Sequence, residues 1–153
     1  MDRLATLELD RFPQRVTLMM AASLSILFAD FVSKTIAVEL WPSTLLFNVS
    51  DRAPFGVAGG LALIAASSVL ACMLPVRLVA VGAGLGLGGS LGNLASRRWW
   101  EDFGGAPDFI RFADGSTGNV ADLAIVAGVG CILLSTVAWL ATFVVQREPE
   151  RPS

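Results

Sequence analysis

Two aspartates lie on either side of the start of an apolar segment, where the sequence reads PDFIRFADGSTGNVADLAIVAG. Asp108 belongs to a short polar stretch, and Asp122 stands at the beginning of the apolar run that follows. Two carboxyl groups that lie close together share a proton, because both cannot readily ionise at once. One can then act as general base on a water molecule while the other acts as general acid. The pair therefore indicates aspartic-type hydrolysis, provided that the fold brings the two side chains together.

Asp122 also has a purely structural interpretation. Gly118 and Asn119 offer a turn and an amino-terminal cap directly before it. An acidic side chain in the first turn of a helix is favourable, because it complements the positive end of the helix dipole. Spacing alone leaves both interpretations of Asp122 open.

The composition argues against a metal centre or a bound cofactor. The sequence contains no histidine, which is the commonest general base and the commonest metal ligand. Its two cysteines, Cys72 and Cys131, lie inside apolar runs without the CxxC spacing of a metal site. We therefore predict no metal and no cofactor. Proton chemistry must use carboxylates, lysine or hydroxyl groups.

The elements that position these groups are predicted to be membrane-spanning helices. The chain is 54% hydrophobic and 16% charged, with a mean hydropathy of +0.67, whereas soluble domains have roughly 45–50% apolar and about 25% charged residues. A helix needs about 20 apolar residues to cross a bilayer. Four windows meet this requirement, at roughly Val16–Val38, Val57–Leu74, Arg77–Ala95 and Val120–Val145. The predicted fold class is an all-α integral membrane protein with four transmembrane helices.

A single membrane domain is predicted over residues 1–153. Residues 1–15 form an amino-terminal segment, residues 16–145 the four-span bundle, and residues 146–153 a polar tail. Four spans place both termini on one side, which carries six lysine and arginine residues against five on the other. The positive-inside rule then favours cytoplasmic termini, chiefly through Arg3, Arg11 and Arg15. The net charge of −2 indicates no nucleic-acid partner.

Further polar residues collect at the membrane face opposite the termini. Asp30 and Lys34, near the outer end of the first span, are four residues apart and therefore on one helical face. Asn93 and Arg97 have the same spacing at the end of the third span. A charge at the centre of a span costs about 2.5–3.5 kcal/mol, which makes such groups functional candidates. Each residue alone also fits an interfacial role, with Lys34 and Arg97 extending their side chains to the interface.

Four segments, in order over about residues 16–145, resemble the motifs of signal peptidase II, the lipoprotein signal peptidase family of bacteria. They are Asp30-Phe-Val-Ser-Lys34; Asn48 followed by Ala-Pro-Phe55-Gly56; Gly88-Gly-Ser-Leu-Gly92-Asn93-Leu-Ala-Ser96-Arg97; and Pro107-Asp108-Phe109-Ile110 with Asn119-Val-Ala-Asp122. Ser96 stands where the family motif has an aspartate. One carboxylate that would support the site is therefore replaced by a hydroxyl group.

The resemblance implies an intramembrane aspartic endopeptidase that removes signal peptides from prolipoproteins, just before a diacylglyceryl-modified lipobox cysteine. Asp108 and Asp122 would be the catalytic dyad. The residues that would bind substrate or support the dyad are Asp30, Lys34, Asn48, Asn93, Arg97 and Asn119. The resemblance also implies a small extracytoplasmic β-platform, and a bacterial inner membrane location with the active site at the extracytoplasmic face. The partners would be lipid-modified prolipoproteins and membrane lipids.

Two other functions stay open at this point. A homologue without turnover would bind acylated peptides without cutting them. Ser96 favours this alternative, and so does the altered loop after Asn48, in which Ser50 replaces a glycine of the family motif and Phe55 stands two residues farther along. A small transporter would also contain intramembrane Asp and Lys residues, but it should place them at several depths, and here they collect at one face.

The third span is rich in glycine, and tryptophans mark the outer ends of the spans. Gly84, Gly88 and Gly92 recur at four-residue spacing, and small residues let helices approach closely in a membrane. We predict that they pack helices within a monomer, with homodimerisation as the alternative. Trp41, Trp99 and Trp100 fit an interfacial aromatic belt.

Overall fold

The computed structural model describes residues 11–48, 56–103 and 105–145. This part of the chain contains four α-helices, which are α1 (Phe12–Leu40), α2 (Gly56–Ala71), α3 (Arg77–Trp99) and α4 (Val120–Val145). Helices α1, α3 and α4 are long and apolar enough to cross a membrane. Helix α2 has 16 residues, fewer than the about 20 that a span needs. The predicted all-α membrane fold is confirmed, with a second helix that is shorter than its apolar window.

Helix α2 ends before the predicted limit because the chain turns ahead of Pro75. A residue that precedes proline is disfavoured in the helical conformation, which makes Leu74 a poor helical position. The turn is fixed from α1, where Arg15 Nε donates to the carbonyl oxygen of Cys72 at 2.7 Å. Arg15 is buried and lies inside α1, so the predicted end of the amino-terminal segment at residue 15 falls within the helix.

Helix α3 lies between α1 and α4, and its glycines allow close contact with both. A Cβ atom added at Gly84 or Gly88 would collide with the backbone of α1. On another face, a Cβ atom at Gly82 would lie 2.7 Å from the carbonyl oxygen of Gly128 in α4. The prediction that these glycines pack helices together within one chain is therefore confirmed.

Two small antiparallel sheets accompany the helices in the described residues. Strand β1 (Leu46–Asn48) pairs with β2 (Ala106–Asp108), and β3 (Ile110–Arg111) pairs with β4 (Thr117–Gly118). The turn between β3 and β4 contains Gly115 with φ of 86°, a conformation that glycine adopts without strain. Because β4 runs directly into α4, the strands carry Asp108 towards the amino-terminal end of that helix.

Trp41, Trp99 and Trp100, near the carboxy-terminal ends of α1 and α3, differ in their surroundings. Trp41 and Trp99 are exposed, as an interfacial belt requires. Trp100 is 6% exposed and packs on Phe31 of α1, with ring centroids 5.7 Å apart. Trp100 is therefore a packed residue, and the belt interpretation fits only Trp41 and Trp99.

Candidate active site

Asp122 is held at the amino-terminal end of α4 by a reciprocal cap. The backbone N–H of Asn119 donates to Asp122 Oδ2 at 3.0 Å, and the N–H of Asp122 donates to Asn119 Oδ1 at 3.2 Å. This is the capping-box arrangement, in which the cap residue and the third residue of the first turn satisfy each other's N–H groups. The structural role that the sequence left open is therefore present, and it gives the Asp122 carboxylate a defined position.

The same asparagine joins Asp122 to Asp108. Asn119 Nδ2 donates to Asp108 Oδ1 at 2.7 Å. Asp108, on β2, and Asn119 are both buried, at 4% and 1% exposure, while Asp122 is half-buried. One amide side chain thus contacts Asp108 directly and Asp122 through the cap. Asp108 and Asp122 therefore belong to a single hydrogen-bonded cluster.

Helix α3 contributes a second amide to Asp122. Asn93 Nδ2 donates to Asp122 Oδ1 at 2.8 Å. Both carboxylate oxygens of Asp122 therefore accept a hydrogen bond, one from α3 and one from the backbone of Asn119. Two donors from different elements fix the orientation of the carboxylate plane.

Helix α1 contributes an ion pair with no solvent exposure. Lys34 Nζ donates to Asp30 Oδ2 at 2.7 Å, to Asn93 Oδ1 at 2.9 Å and to Ser96 Oγ at 2.9 Å. A lysine ammonium has three donors, and each of them has an acceptor here. The side chains of Asp30 and Lys34 are both 0% exposed, so Lys34 does not extend to the interface. That interpretation is wrong because the acceptors of Lys34 lie inside the bundle.

Asp30 also joins α1 to α4. Its Oδ1 accepts a hydrogen bond from the backbone N–H of Ala121 at 2.9 Å. Ala121 lies in the first turn of α4, where N–H groups have no partner within the helix. Gly92 provides the space for this contact, since a Cβ atom there would lie 2.7 Å from Asp30 Oδ2. The pair Asp30–Lys34 thus connects three helices at one end of the bundle.

The structure brings together six of the predicted site residues, which are Asp30, Lys34, Asn93, Asp108, Asn119 and Asp122. Arg97 lies one helical turn after Asn93, with an exposed side chain. Asn48 is the last residue of β1 and pairs with Ala106. The Asn48 side chain and residues 49–55, which include most of the altered loop, lie outside the described part of the chain.

Sequence reasoning missed Ser96 as a member of this cluster and treated it only as a lost carboxylate. Ser96 Oγ donates to the carbonyl oxygen of Gly92 at 2.6 Å and accepts from Lys34. Its spacing contained the signal, because residues three and four apart share a helical face, and Ser96 follows Asn93 by three residues.

Ser96 and Lys34 also have the composition of a serine–lysine nucleophile pair. Two features of the structure argue against that chemistry. The Ser96 hydroxyl donates to the Gly92 carbonyl and is 2% exposed. Lys34 is paired with Asp30 and uses all three of its donors, whereas a general base must accept the proton of the nucleophile. The aspartates remain the better candidates for catalysis.

Asp114, in the turn between β3 and β4, has a different environment from the two site aspartates. It is exposed, and the hydroxyl and backbone N–H of Ser116 donate to its Oδ1 at 2.7 and 3.0 Å. These two bonds, the hydroxyl bond first, lower the pKa of Asp114. Asp114 therefore acts as a turn-forming residue and serves as a control for the site.

Two sequence comparisons identify the relatives of this chain. Residues 22–138 match the family model described as signal peptidase (SPase) II. A lipoprotein signal peptidase of Mycobacterium avium (strain 104) is 31% identical, and the alignment covers 84% of this chain and 83% of that protein.

Two solved structures, each described as a bacterial membrane enzyme determined by the in meso method, share the fold. The one at 1.9 Å resolution has a TM-score of 0.59 and 19% identity, covering 77% of this chain and 91% of its own. The one at 2.3 Å has a TM-score of 0.60 and 21% identity, covering 88% and 94%. Fold and family match together define a bacterial membrane peptidase. The chain belongs to the signal peptidase II family.

Proposed function

We propose that this chain is an aspartic endopeptidase that cleaves diacylglyceryl-modified prolipoproteins just before the lipobox cysteine. As a member of the signal peptidase II family, it is an inner-membrane peptidase that removes signal peptides from prolipoproteins. The observation that carries the aspartic mechanism is the Asn119 side chain, which donates to Asp108 and caps α4 together with Asp122. The absence of histidine from the sequence is consistent with a mechanism that uses two carboxyl groups.

In this mechanism Asp108 and Asp122 together hold one proton before the reaction. The ionised carboxylate takes a proton from water as the water oxygen attacks the scissile carbonyl carbon. The protonated carboxyl group donates its proton to the carbonyl oxygen, which forms a tetrahedral intermediate. The C–N bond then breaks, and the leaving amine takes up the proton that came from water. One hydroxyl group of the intermediate returns its proton to the other carboxylate, so the carboxylic acid product forms and the pair again holds one proton. Asn93 and Asn119 position the carboxyl groups and keep their own protons.

The location of the site suits this substrate. The candidate residues lie at the outer helix ends in the proposed topology, with cytoplasmic termini and an extracytoplasmic active site. The lipid of the substrate can then stay in the bilayer while its peptide bond reaches water. We propose that the monomer is the active form, because α1, α3, β2 and α4 of one chain supply all the contacts of the site described above.

Cleavage of a purified substrate tests this function. The protein in lipid is incubated with a diacylglyceryl-modified prolipoprotein, and with the same precursor lacking the modification as the matched control. Mass spectrometry should find a product that begins at the modified cysteine, and little or no product from the control. Equal cleavage of both precursors would contradict the proposed specificity. Binding of the modified precursor without product would instead support the alternative of a homologue without turnover.

A further inference from the structure

Lys34 is the only lysine in the sequence, and it lies at the centre of the site rather than at the surface. Ser96, which accepts its third hydrogen bond, is also buried. Because both side chains are shielded from solvent, any influence on the reaction has to pass through the residues that they contact.

The hydrogen bond from Lys34 to Asn93 decides how the Asn93 amide is oriented. An amide side chain has an acceptor end and a donor end, and the two can exchange places by rotation. An ammonium group has donors only, so Asn93 must turn its Oδ1 towards Lys34, at 2.9 Å. Its Nδ2 then faces Asp122 Oδ1, at 2.8 Å. In the opposite orientation, the amide oxygen would face the carboxylate and repel it.

Ser96 helps to fix the position of Lys34, because its hydroxyl group can donate in one direction and accept in another. Its hydroxyl proton is directed to the carbonyl oxygen of Gly92, at 2.6 Å. The oxygen lone pairs of Ser96 are therefore available to accept from Lys34 Nζ, at 2.9 Å. A chain of hydrogen bonds with one direction runs from Lys34, anchored by Asp30 and Ser96, through Asn93 to Asp122.

We infer that Lys34 and Ser96 are positioning residues for the peptidase reaction, which hold the Asn93 amide in the orientation that donates to Asp122. This inference rests on the proposed function, since it takes Asp122 as one of the two catalytic carboxyl groups. It assigns to Ser96 a role in turnover, although this position lacks the carboxylate of the family motif.

Kinetics of Ser96 variants separate this role from a contribution to folding. Ser96→Ala removes one acceptor of Lys34 and keeps the Asp30 ion pair. Ser90→Ala is the matched control, because Ser90 Oγ bonds the Gly86 carbonyl, one turn back, at 2.8 Å, as Ser96 bonds Gly92. We expect Ser96→Ala to lower kcat by about 10- to 100-fold with KM unchanged, and Ser96→Thr, which retains the hydroxyl, to restore most of it. Equal kcat values for Ser96→Ala and Ser90→Ala would overturn the inference.

A second variant removes the ammonium itself. Lys34→Met alone would leave Asp30 buried without its ion-pair partner, which is strongly destabilising. The double variant Asp30→Asn/Lys34→Met removes both charges, and an asparagine at position 30 can still accept from the Ala121 N–H. We expect it to fold, as judged by thermal unfolding, and to lose about 100-fold or more in kcat. A folded double variant with wild-type kcat would contradict the positioning role.

Nuclear magnetic resonance gives a readout that does not depend on activity. The sequence has one lysine and three asparagines, so ¹⁵N labelling of these residue types gives a simple spectrum. We expect a slowly exchanging Lys34 ammonium signal, and we expect Ser96→Ala to shift the Asn93 amide signals while Ser90→Ala leaves them in place. Asn93 signals with the same chemical shifts in Ser96→Ala as in the wild-type protein would overturn the inference. If the signals respond but the wild-type protein cleaves no prolipoprotein, the proposed function fails while the hydrogen-bond chain stands.

Discussion

Asn119 has two roles at the start of α4 that substitutions can separate. Its Oδ1 caps the helix by accepting from the N–H of Asp122, and its Nδ2 donates to Asp108. Serine, aspartate and asparagine are all good cap residues because each offers a side-chain oxygen. Among them only asparagine also has an N–H donor for the second carboxyl group.

Asn119→Ser should therefore keep the stability of the protein and lose activity. A serine cap retains the oxygen acceptor, whereas Asn119→Ala removes it and should cost about 1 kcal/mol. Both variants lose the donor to Asp108, so we expect kcat to fall by about 100-fold in each. Thermal unfolding and prolipoprotein cleavage measured side by side check this prediction. An Asn119→Ser variant with wild-type kcat would show that the amide donor is not needed.

At the scale of elements, apolar length and glycine spacing predicted most of the helical bundle. The bounds of α1, α3 and α4 lie close to those of the predicted apolar windows, because a long apolar run favours a membrane-spanning helix. The end of α2 was not predicted, because it depends on a local turn. The burial of Trp100 was not predicted either, because it depends on the path of the chain after α3. The family resemblance implied a β-platform. It did not predict which residues of β1 and β2 pair, and this pairing places Asp108.

Replacement of two glycines of α3 by alanine should affect the thermal unfolding temperature differently. A Cβ atom at Gly88 would collide with the backbone around Ser23 of α1, whereas one at Gly86 meets nothing within 4 Å. Gly88→Ala should therefore push α1 and α3 apart and lower the thermal unfolding temperature. Gly86→Ala should leave this temperature unchanged or raise it, since alanine is favoured over glycine in a helix by about 0.5–1 kcal/mol. Equal unfolding temperatures for the two variants would contradict the close packing of α1 on α3.

At the scale of the whole molecule, the site is assembled from residues that are far apart in the chain. Lys34 and Asn93 are separated by 59 residues, and Asp30 and Ala121 by 91. Periodicity within a segment predicts which residues share a helical face, but it does not predict which faces meet. The family resemblance supplied the candidate set for this reason. It marked position 96 only as a missing carboxylate, because the contact of Ser96 with Lys34 depends on the packing of α1 on α3.

The proposed topology predicts which ends of the helices face the outside of the cell. A cysteine introduced by Ala113→Cys, in the exposed β3–β4 turn, should react with a membrane-impermeant maleimide on intact cells that lack an outer membrane barrier. Arg77→Cys, at the exposed start of α3, should react only after lysis. The unsubstituted protein is the blank, since its Cys72 is buried and its Cys131 half-buried. The reverse labelling pattern would contradict cytoplasmic termini.

The proposed mechanism assigns the hydrolysis to Asp108 and Asp122 together. The most direct test compares the turnover of a diacylglyceryl-modified prolipoprotein by the wild-type protein with that of Asp108→Asn, Asp122→Asn and Asp114→Asn. An asparagine at position 108 keeps an oxygen acceptor for Asn119 Nδ2, and one at position 122 keeps an acceptor for one of its two donors. Either replacement removes the proton-transfer group. We predict that each of the first two variants loses about 10³-fold or more in kcat, while Asp114→Asn, in the exposed turn, retains wild-type turnover. Wild-type turnover by Asp108→Asn or Asp122→Asn would show that the substituted aspartate is not catalytic.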